Sequence, residues 1–357
     1  MTPPAVRDRG GALVEVRTGG LEEHIVADIA WAAAHYIDWT GDRAFAVGPG
    51  LELLVQAARW WASRIELDVD GSAHIRGVMG PDEYHEAVSD NAYTNVMARW
   101  ALRRAAGAAS PGALDEAERR RWLTLADALV DGHDPATGRY EQFAGFAGLE
   151  PLVIADIAPQ RPVSADLLLG AARTSAAQVV KQPDVLMLHY LVPDEVAAGS
   201  LGPNLDFYEP RTAHGSTLSP GVHAALLARA GRPDQALELL RITARIDLDD
   251  IGQMTAGGLH LAAMGSLWRA LSFGFGGLRP AGDALAVDPV AVPGLEALDL
   301  RVRFRDSRVR LRIAPDEARI SATPPITVVA SGGDPVEVGP TARTIDLSPV
   351  LESERPT

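Results

Sequence analysis

The chain has 357 residues, of which 47% are hydrophobic and 22% are charged, the balance of a soluble globular protein. Its net charge of −14 disfavours nucleic acid and anionic membrane as partners, because a like-signed field repels polyanions. The absence of cysteine excludes disulfides, thiolate nucleophiles and cysteine-ligated metals. No apolar run approaches the ~20 residues of a membrane span, and the N-terminus lacks a signal-peptide core. We therefore expect a soluble, cytoplasmic protein.

Helical periodicity runs from residue 20 to about residue 271. The first segment, "LEEHIVADIAWAAAHYIDWTGD", predicts a helix with one buried stripe that ends at Gly41, where glycine suits a left-handed cap. The residues of that stripe are Ile25, Ile29, Ala32 and Tyr36.

A second helix is predicted in "GLELLVQAARWWASRIEL", followed by a short hairpin in "DVDGSAHIRGV" that turns at Asp70-Gly71. Leu54, Ala58, Trp61 and Ile65 would form the buried stripe of the second helix. Further helices are predicted near 90–108, 114–131, 164–180, 184–192, 216–231, 233–246 and 260–271, about nine in all.

A dense polar cluster occupies "GVMGPDEYHEAVSDNAYTNVMARW", after the hairpin and before the helix near 90–108. It contains Asp82, Glu83, His85 and Glu86 within five positions. A solvated turn has this composition. A general acid is the alternative, because desolvation or a neighbouring carboxylate raises a carboxyl pKa enough to retain a proton at neutral pH.

The segment "VVKQPDVLMLHY" places Lys181 and Gln182 at the end of the helix near 164–180, with Pro183 enforcing a break. Two adjacent long donors can fork over vicinal sugar hydroxyls. A helix C-terminal cation beside a surface amide is the structural alternative.

The loop in "YEPRTAHGSTLSPGVHAALLARAG" leads into a predicted helix N-terminus, with Ser216 or Ser219 as N-cap, Pro220 in the first turn and Gly231 at the end. Val222, Ala225, Leu226 and Ala230 would form its buried stripe. Free backbone amides, the helix dipole and the donors of the loop would suit a phosphate. The loop residues concerned are His214, Gly215, Ser216 and Thr217. An ordinary capped helix start remains the alternative.

The period changes to two after Gly277. "LDLRVRFRDSRVRLRI" predicts a β-hairpin with one apolar face and one arginine face, turning at Asp306-Ser307. We interpret the arginine face as solvated, since the chain is acidic and no aromatic residue interleaves the arginines. The runs "ALAVDP" and "ITVVA" extend a small β-domain over 278–346, which leaves 347–357 as a tail ending in "SERPT".

Cleavage of a glycosidic bond with inversion requires a protonated acid at the leaving oxygen and a base that activates water. Phosphate is already a nucleophilic anion, so an enzyme that uses it needs one carboxyl and an anion site. The Glu83 loop and the His214 loop would supply these two functions together.

The segments "GVMGPDEYHEAVSDNAYTN", "KQPDV", "EPRTAHGSTLSP" and "GLHLAAMGSLWRAL" resemble, in the same order, signatures of glycoside hydrolase family 65. This family includes maltose, kojibiose, nigerose and trehalose phosphorylases. The resemblance runs over about residues 19 to 313. It implies Glu83 as general acid, Lys181 and Gln182 as ligands of the glucosyl unit, and the segment 214–217 as the phosphate site, with Thr217 replacing the usual second serine.

The resemblance also implies a mainly α fold: an incomplete (α/α)6 six-hairpin barrel over residues 1–277, followed by a small C-terminal β-sandwich domain. Family chains are about twice as long and add an N-terminal β-sandwich. The family's sugar-gripping Trp-Asp motif does not occur in this sequence. We therefore expect a C-terminal portion of the family architecture, which either self-associates as a homo-oligomer or associates with a complementing N-terminal chain.

The predicted reaction is inverting phosphorolysis of an α-glucosidic disaccharide to β-glucose 1-phosphate. Inorganic phosphate is the co-substrate, and no metal or organic cofactor is expected. A trehalase-like α-glucoside hydrolase of the same fold is one alternative, and the intact "HGSTLS" loop argues against it. A catalytically inactive truncated relative is the other, and the absent Trp-Asp motif favours it.

Overall fold

The computed structural model describes residues 5–7, 11, 13–108, 114–251, 255–330 and 333–348. The chain divides into two compact units, Met1–Ala34 with Val47–Gly215, and His35–Ala46 with Ser216–Thr357. The described residues are mainly helical, with strands concentrated toward the C-terminus, as the sequence predicts. In these residues no helix combines the length and the apolarity needed to cross a membrane.

The first unit contains helices and four two-stranded ladders, and its first long helix continues into the second unit. The helices are Thr18–Leu21, Ile25–Thr40, Pro49–Arg64, Ala92–Ala108, Glu116–Ala128, Ile154–Ile157, Ala165–Leu169, Ala171–Thr174, Val185–Leu191 and Leu201–Tyr208. The antiparallel strand pairs are Ala5–Arg7 with Leu13–Glu15, Glu66–Leu67 with Ala73–His74, Arg76–Val78 with Val88–Ser89, and His133–Asp134 with Arg139–Tyr140.

In the described residues, the second unit contains three longer α-helices, one short helix and two four-stranded sheets. After the short helix Arg43–Val47, its helices are Ser219–Arg229, Pro233–Arg245 and Leu261–Arg269, the last continuing as a π-helical turn, Ala270–Phe275. One sheet contains, in spatial order, Val336–Val338, Ile326–Ala330, Ala284–Val287 and Arg279–Ala281. The other contains Leu298–Phe304, Ser307–Ile313, Ala318–Thr323 and Arg343–Ile345. Their inner faces share one apolar core around Phe304, Leu311 and Val328.

The predicted arginine-faced hairpin is confirmed. Leu298 pairs with Ile313 and Phe304 with Ser307, so that apolar side chains alternate with exposed arginines along both strands. The turn lies one residue earlier than predicted, because Ser307 already belongs to the second strand and Arg305 takes the positive φ of 53°.

The helix Ile25–Thr40 forms and ends at Gly41, which has a φ of 66°. The prediction that its Ile25, Ile29, Ala32 and Tyr36 are buried is wrong: Ile25, Ile29 and Tyr36 are 45%, 52% and 46% exposed, and Ala32 is exposed as well. The buried residues are Ala27, Ala30, Ala33 and Ala34. Small side chains allow neighbouring backbone to approach closely, so the alanine face packs inward and the bulky face does not.

The prediction of one helix near 164–180 is also wrong. Gly170, with a φ of 80°, separates the short helices Ala165–Leu169 and Ala171–Thr174. Beyond them the chain turns, and Ala177 and Val180 form isolated parallel bridges with Glu150 and Thr212. β-branched valines favour such pairing over a helix end. Lys181 therefore follows a non-helical segment.

The helix predicted near 216–231 spans Ser219–Arg229 and is followed by Gly231, which has a φ of 72°. Its N-cap is Leu218 without a side-chain cap, so neither predicted serine caps it. Ser219 is the first helical residue instead.

Candidate active site

Asp82 anchors the loop that carries Glu83. Its side chain is fully buried and accepts hydrogen bonds from His85 Nδ1 at 2.7 Å, Gln142 Nε2 at 2.8 Å and the backbone N–H of Lys181 at 2.8 Å. One carboxylate therefore connects three segments of the first unit. The loop between strands Arg76–Val78 and Val88–Ser89 is fixed at its centre by these contacts.

Glu83 and Lys181 form an ion pair, with 3.0 Å between Glu83 Oε1 and Lys181 Nζ. The two side chains are 33% and 26% exposed, so the pair is partly desolvated but accessible. Gln182 Nε2 donates to the carbonyl oxygen of Pro81, just before the loop's acidic residues. The structure thus brings together three residues that the sequence predicts as acid and sugar ligands.

Asp184 lies directly behind the Glu83 loop and is buried. Its carboxyl oxygens accept from Asn91 Nδ2 at 3.0 and 3.1 Å, and one accepts from the backbone N–H of Asp82 at 3.4 Å. Burial, and then the charge of Asp82, raise the pKa of Asp184 to about 7. A Cβ on Gly80 would overlap Asp184 Oδ2 and Asn91 Nδ2, so this contact requires glycine.

His85 is the second buried support of the loop. Burial by itself lowers the pKa of this imidazole, but the hydrogen bond and charge of Asp82 outweigh burial and raise the pKa above its ordinary value. Its other nitrogen, Nε2, donates to the carbonyl oxygen of Ala177 at 3.0 Å. His85 therefore connects the acidic loop to the segment that precedes Lys181.

The segment His214–Gly215 reaches the same region of the first unit. The backbone N–H of Gly215 donates to the carbonyl oxygen of Lys181 at 3.1 Å. A Cβ on Gly215 would come within 3.1 Å of the Val163 carbonyl oxygen and 3.3 Å of the Tyr84 hydroxyl. A side chain at this position would therefore require these two neighbours to move by a few tenths of an ångström.

The His214 side chain is buried, and its Nε2 lies 4.0 Å from Glu209 Oε1. Burial lowers its pKa, the Arg161 charge acts in the same direction, and Glu209 only partly opposes them. The φ of His214 is 55°, an uncommon left-handed conformation for a non-glycine residue.

Ser216 and Thr217 belong to the second unit. There the Ser216 hydroxyl accepts from the backbone N–H of Leu218 at 3.4 Å, and the Ser216 carbonyl oxygen accepts from the N–H of Ser219 at 3.2 Å. Both residues are partly exposed, so their hydroxyls lie within reach of solvent.

Sequence reasoning did not single out Asn91, Gln142 or Asp184, although two of them lie in quoted motifs. Asn91 and Asp184 could have been found as polar residues directly before an apolar helix, in "SDNAYTN" and "KQPDV". The composition of the chain gives a stronger indication that Lys181 is a functional residue. Of the 33 lysines and arginines in the sequence, Lys181 is the only lysine. An ammonium is a compact charge with three donors, and a planar guanidinium does not replace it.

The residues of the first unit can perform two chemical tasks. Glu83 is the accessible carboxyl that can exchange a proton with a ligand oxygen, whereas Asp82 and Asp184 are buried supports. Lys181 and Gln182 offer hydrogen-bond donors next to it.

Two family models match the chain. The glycosyl hydrolase family 65 central catalytic domain matches residues 9–269, and the glycosyl hydrolase family 65, C-terminal domain matches residues 278–337. The chain belongs to glycosyl hydrolase family 65, an enzyme family, as its motifs predict.

Curated relatives include proteins named as disaccharide phosphorylases. Kojibiose phosphorylase of Halothermothrix orenii is 31% identical over 329 residues, covering 87% of this chain and 42% of the relative. Maltose phosphorylase of Bacillus subtilis is 32% identical over 313 residues, covering 84% of this chain and 40% of the relative. The chain therefore spans less than half the length of these relatives.

A solved structure described as a putative kojibiose phosphorylase from human microbiome has a similar fold. The TM-score is 0.80 at 24% identity, and the match covers 90% of this chain and 49% of that chain.

Proposed function

We propose that this chain is a C-terminal portion of an inverting α-glucosidic disaccharide phosphorylase that releases β-glucose 1-phosphate. The observation that carries the proposal is the ion pair between Glu83 and Lys181, in a loop held by Asp82, within a family 65 chain. The kojibiose and maltose phosphorylases among its relatives support the substrate class.

In the proposed reaction, a phosphate oxygen attacks the anomeric carbon and the bond to the leaving sugar oxygen breaks. Glu83 gives its proton to that oxygen, so the leaving sugar departs as a neutral alcohol. Lys181 and Gln182 hold the glucosyl unit, and His214, Gly215, Ser216 and Thr217 hold phosphate. No metal or organic cofactor takes part.

The ion pair adds one step to this scheme. Lys181 Nζ contacts Glu83 Oε1, so Lys181 must turn to another acceptor before that oxygen can contact the leaving sugar oxygen. Sugar hydroxyls provide such acceptors. Substrate binding would thereby free Glu83 Oε1 for the leaving oxygen.

The proposed architecture is an incomplete (α/α)6 barrel over residues 1–277, a β-sandwich over 278–346 and a tail over 347–357. The helices of the first unit, and the two sheets around one core in the second unit, support it. The residues after 348 lie outside the described part of the chain.

Phosphate dependence tests the reaction type. In a complete or complemented enzyme, Ser216→Ala should weaken the apparent affinity for phosphate about tenfold or more while nearly preserving sugar affinity, because a hydrogen bond to a charged group contributes ~1.5–3 kcal/mol. Product analysis should find glucose 1-phosphate. Equal turnover with and without phosphate, releasing only glucose, would instead identify an α-glucoside hydrolase.

A second candidate is a catalytically inactive chain, or one that acts only with a complementing N-terminal polypeptide. The observation in its favour is that the given sequence has no Trp-Asp dipeptide, which the family resemblance implies as a sugar-binding motif.

A further inference from the structure

The sheet that contains Leu298–Phe304, Ser307–Ile313 and Ala318–Thr323 has an outward face that consists mainly of arginine. In these three strands apolar side chains enter the core, and the alternate positions are exposed or partly exposed. Six of the 33 basic residues of the chain lie at these outward positions. We call them the arginine array: Arg301, Arg303, Arg308, Arg310, Arg312 and Arg319.

The register of the sheet places the six arginines directly opposite one another in three pairs. The pairs are Arg301 with Arg310, Arg303 with Arg308, and Arg312 with Arg319. Directly opposite residues have Cβ atoms about 4.5–5.5 Å apart, and like charges at this separation destabilise a sheet. The core does not require arginine at these positions, because side chains on the outward face do not enter it. A local arrangement that lowers stability without contributing to packing is typical of a binding surface.

Acidic side chains neutralise only part of the array. Asp299 pairs with Arg310 and lies 3.8 Å from Arg301. Glu317 pairs with Arg319 at 2.9 Å. The other three arginines form no ion pair or side-chain hydrogen bond with any residue that the structure describes, and they are Arg303, Arg308 and Arg312. Each of the three is exposed, so the donors of its guanidinium are accessible to a ligand.

The composition of the outward face indicates the class of partner. Its other positions on the three strands are Asp299, Ser321 and Thr323, so no apolar or aromatic side chain lies among the arginines. The core of a stable protein interface is apolar and rich in aromatic residues, and single-stranded nucleic acid is held by bases that stack on aromatic rings. The array supplies neither contact. Guanidinium groups bind phosphate oxygens through paired hydrogen bonds, so a ligand that presents phosphate groups without bases fits the array.

The dimensions of the array favour a thin chain of phosphates. Arginines two positions apart on one strand are about 6.8 Å apart, and neighbouring strands are about 4.8 Å apart. Exposed Asp306 and Asp316 lie in the connections at the two ends of the middle strand, and the chain as a whole carries a net charge of −14. A nucleic acid duplex or a membrane extends beyond three strands and meets these like charges, whereas a single chain of linked phosphates can stay within the array.

We propose that the arginine array binds inorganic polyphosphate, with Arg303, Arg308 and Arg312 as donors to its phosphate oxygens. The bound polymer would also relieve the repulsion between opposite arginines, so binding would stabilise the sheet. The inference is independent of the reaction proposed for Glu83, because the array belongs to the second unit and Glu83 to the first.

Titration of the chain with long-chain inorganic polyphosphate at several salt concentrations tests this inference. The affinity should fall as the salt concentration rises, because the bound arginines release counterions from the polymer. The double variant Arg303→Gln with Arg308→Gln should bind about tenfold or more weakly, and the slope of log affinity against log salt should fall by about two. Melting curves should show that this variant is at least as stable as the unsubstituted chain, because a like-charge pair is removed.

The matched control is Arg59→Gln with Arg173→Gln, which removes the same charge from exposed arginines outside the array that pair with Glu118 and Glu150. Its affinity for polyphosphate should stay close to that of the unsubstituted chain, because exposed charges outside a binding site are screened by salt. Equal losses in the two double variants would show that net charge alone determines binding and would overturn the inference. No binding of polyphosphate at low salt would overturn it as well. Tighter binding of duplex DNA, or of vesicles of phosphatidylglycerol and phosphatidylcholine in equal parts, through the same arginines would assign the array to another class of partner and also overturn it.

Discussion

At the scale of single residues, the candidate site depends on a division of labour among carboxyl groups. Asp82 and Asp184 are buried, 1% and 2% exposed, and hold backbone in place, whereas Glu83 is accessible and paired with Lys181. Asp82 also receives the backbone N–H of Lys181, so acid and ammonium are fixed by the same residue.

Glu83→Gln should lower turnover by about two to four orders of magnitude in a complete or complemented enzyme, because a positioned general acid is lost. Substrate binding should change far less. The measurement is the initial rate of glucose 1-phosphate release at saturating substrate. Glu86→Gln is the control, because Glu86 pairs with Arg17 at 2.9 Å. An inactive Glu86 variant beside a nearly normal Glu83 variant would reverse the assignment.

The pKa of Asp184 predicts a specific pH dependence of stability. The pKa of Asp184 is raised to about 7 in the folded state, whereas in the unfolded chain it is about 4. The protonated carboxyl therefore stabilises the folded state fully at a pH below about 4, and this stabilisation is lost as the pH rises through about 7. Asp184→Asn should remove this pH-dependent loss of stability. The free energy of unfolding of the unsubstituted chain should therefore fall between pH 5 and 8 by about 1–3 kcal/mol more than that of the variant.

Urea unfolding at several pH values would measure the difference. Asp194→Asn, on the exposed turn Pro193–Glu195, is the control and should follow the unsubstituted chain. Parallel pH profiles for Asp184→Asn and the unsubstituted chain would show that Asp184 does not titrate in this range.

At the scale of elements, the helix Ile25–Thr40 presents a bulky apolar face to solvent. Ile25 and Ile29 are 45% and 52% exposed, one turn apart. Because exposed apolar patches promote association, Ile29→Glu should reduce self-association and dye binding to apolar surface without lowering stability. Light scattering over a concentration series measures the first effect.

The opposite face of that helix supplies the control. Ala30 is fully buried, so Ala30→Glu should destabilise the fold by several kcal/mol, since it buries a charge without a partner. Association that is unchanged by Ile29→Glu would exclude this helix face as the source of self-association.

Most long elements could be predicted from sequence, because their periodicity is local. The helix Pro49–Arg64 buries Leu54 and Trp61 as predicted, and the hairpin at 298–313 alternates as predicted. The failures come from tertiary context. Alanine and isoleucine both read as apolar, so the pattern of Ile25–Thr40 did not reveal which face packs inward.

The candidate site was predictable as a set of motifs but not as a geometry. The Glu83 and Lys181 motifs were found, yet the bond from the Lys181 backbone to Asp82 joins residues 99 apart in sequence. The sequence predicts Lys181 at a helix end, whereas Val180 pairs with Thr212 and the segment before Lys181 is not helical. Pairing between distant segments depends on the whole fold and leaves no local periodicity.

At the scale of the whole molecule, the chain spans less than half the length of the relatives that it matches. The family models account for residues 9–269 and 278–337, yet the match covers only 42% of the Halothermothrix orenii relative. The Trp-Asp motif expected to grip the sugar is absent from the sequence. The domain limits, the cytoplasmic localisation and the need for a complementing chain stay predictions.

We expect the 357 residues alone to show little or no phosphorolysis. Catalysis requires sugar, acid and phosphate in near-attack geometry, and displacement of about 1 Å costs about two orders of magnitude. The family resemblance implies that a Trp-Asp motif also holds the sugar, and the given sequence has no Trp-Asp dipeptide, so we expect the substrate to be poorly held between acid and phosphate. The assay is release of glucose 1-phosphate from maltose, kojibiose, nigerose and trehalose, with the solution mass measured alongside. Turnover that appears only after addition of a separately expressed N-terminal part of a relative would support a complementing chain, whereas robust turnover by a monomer would show that this sequence alone assembles the site.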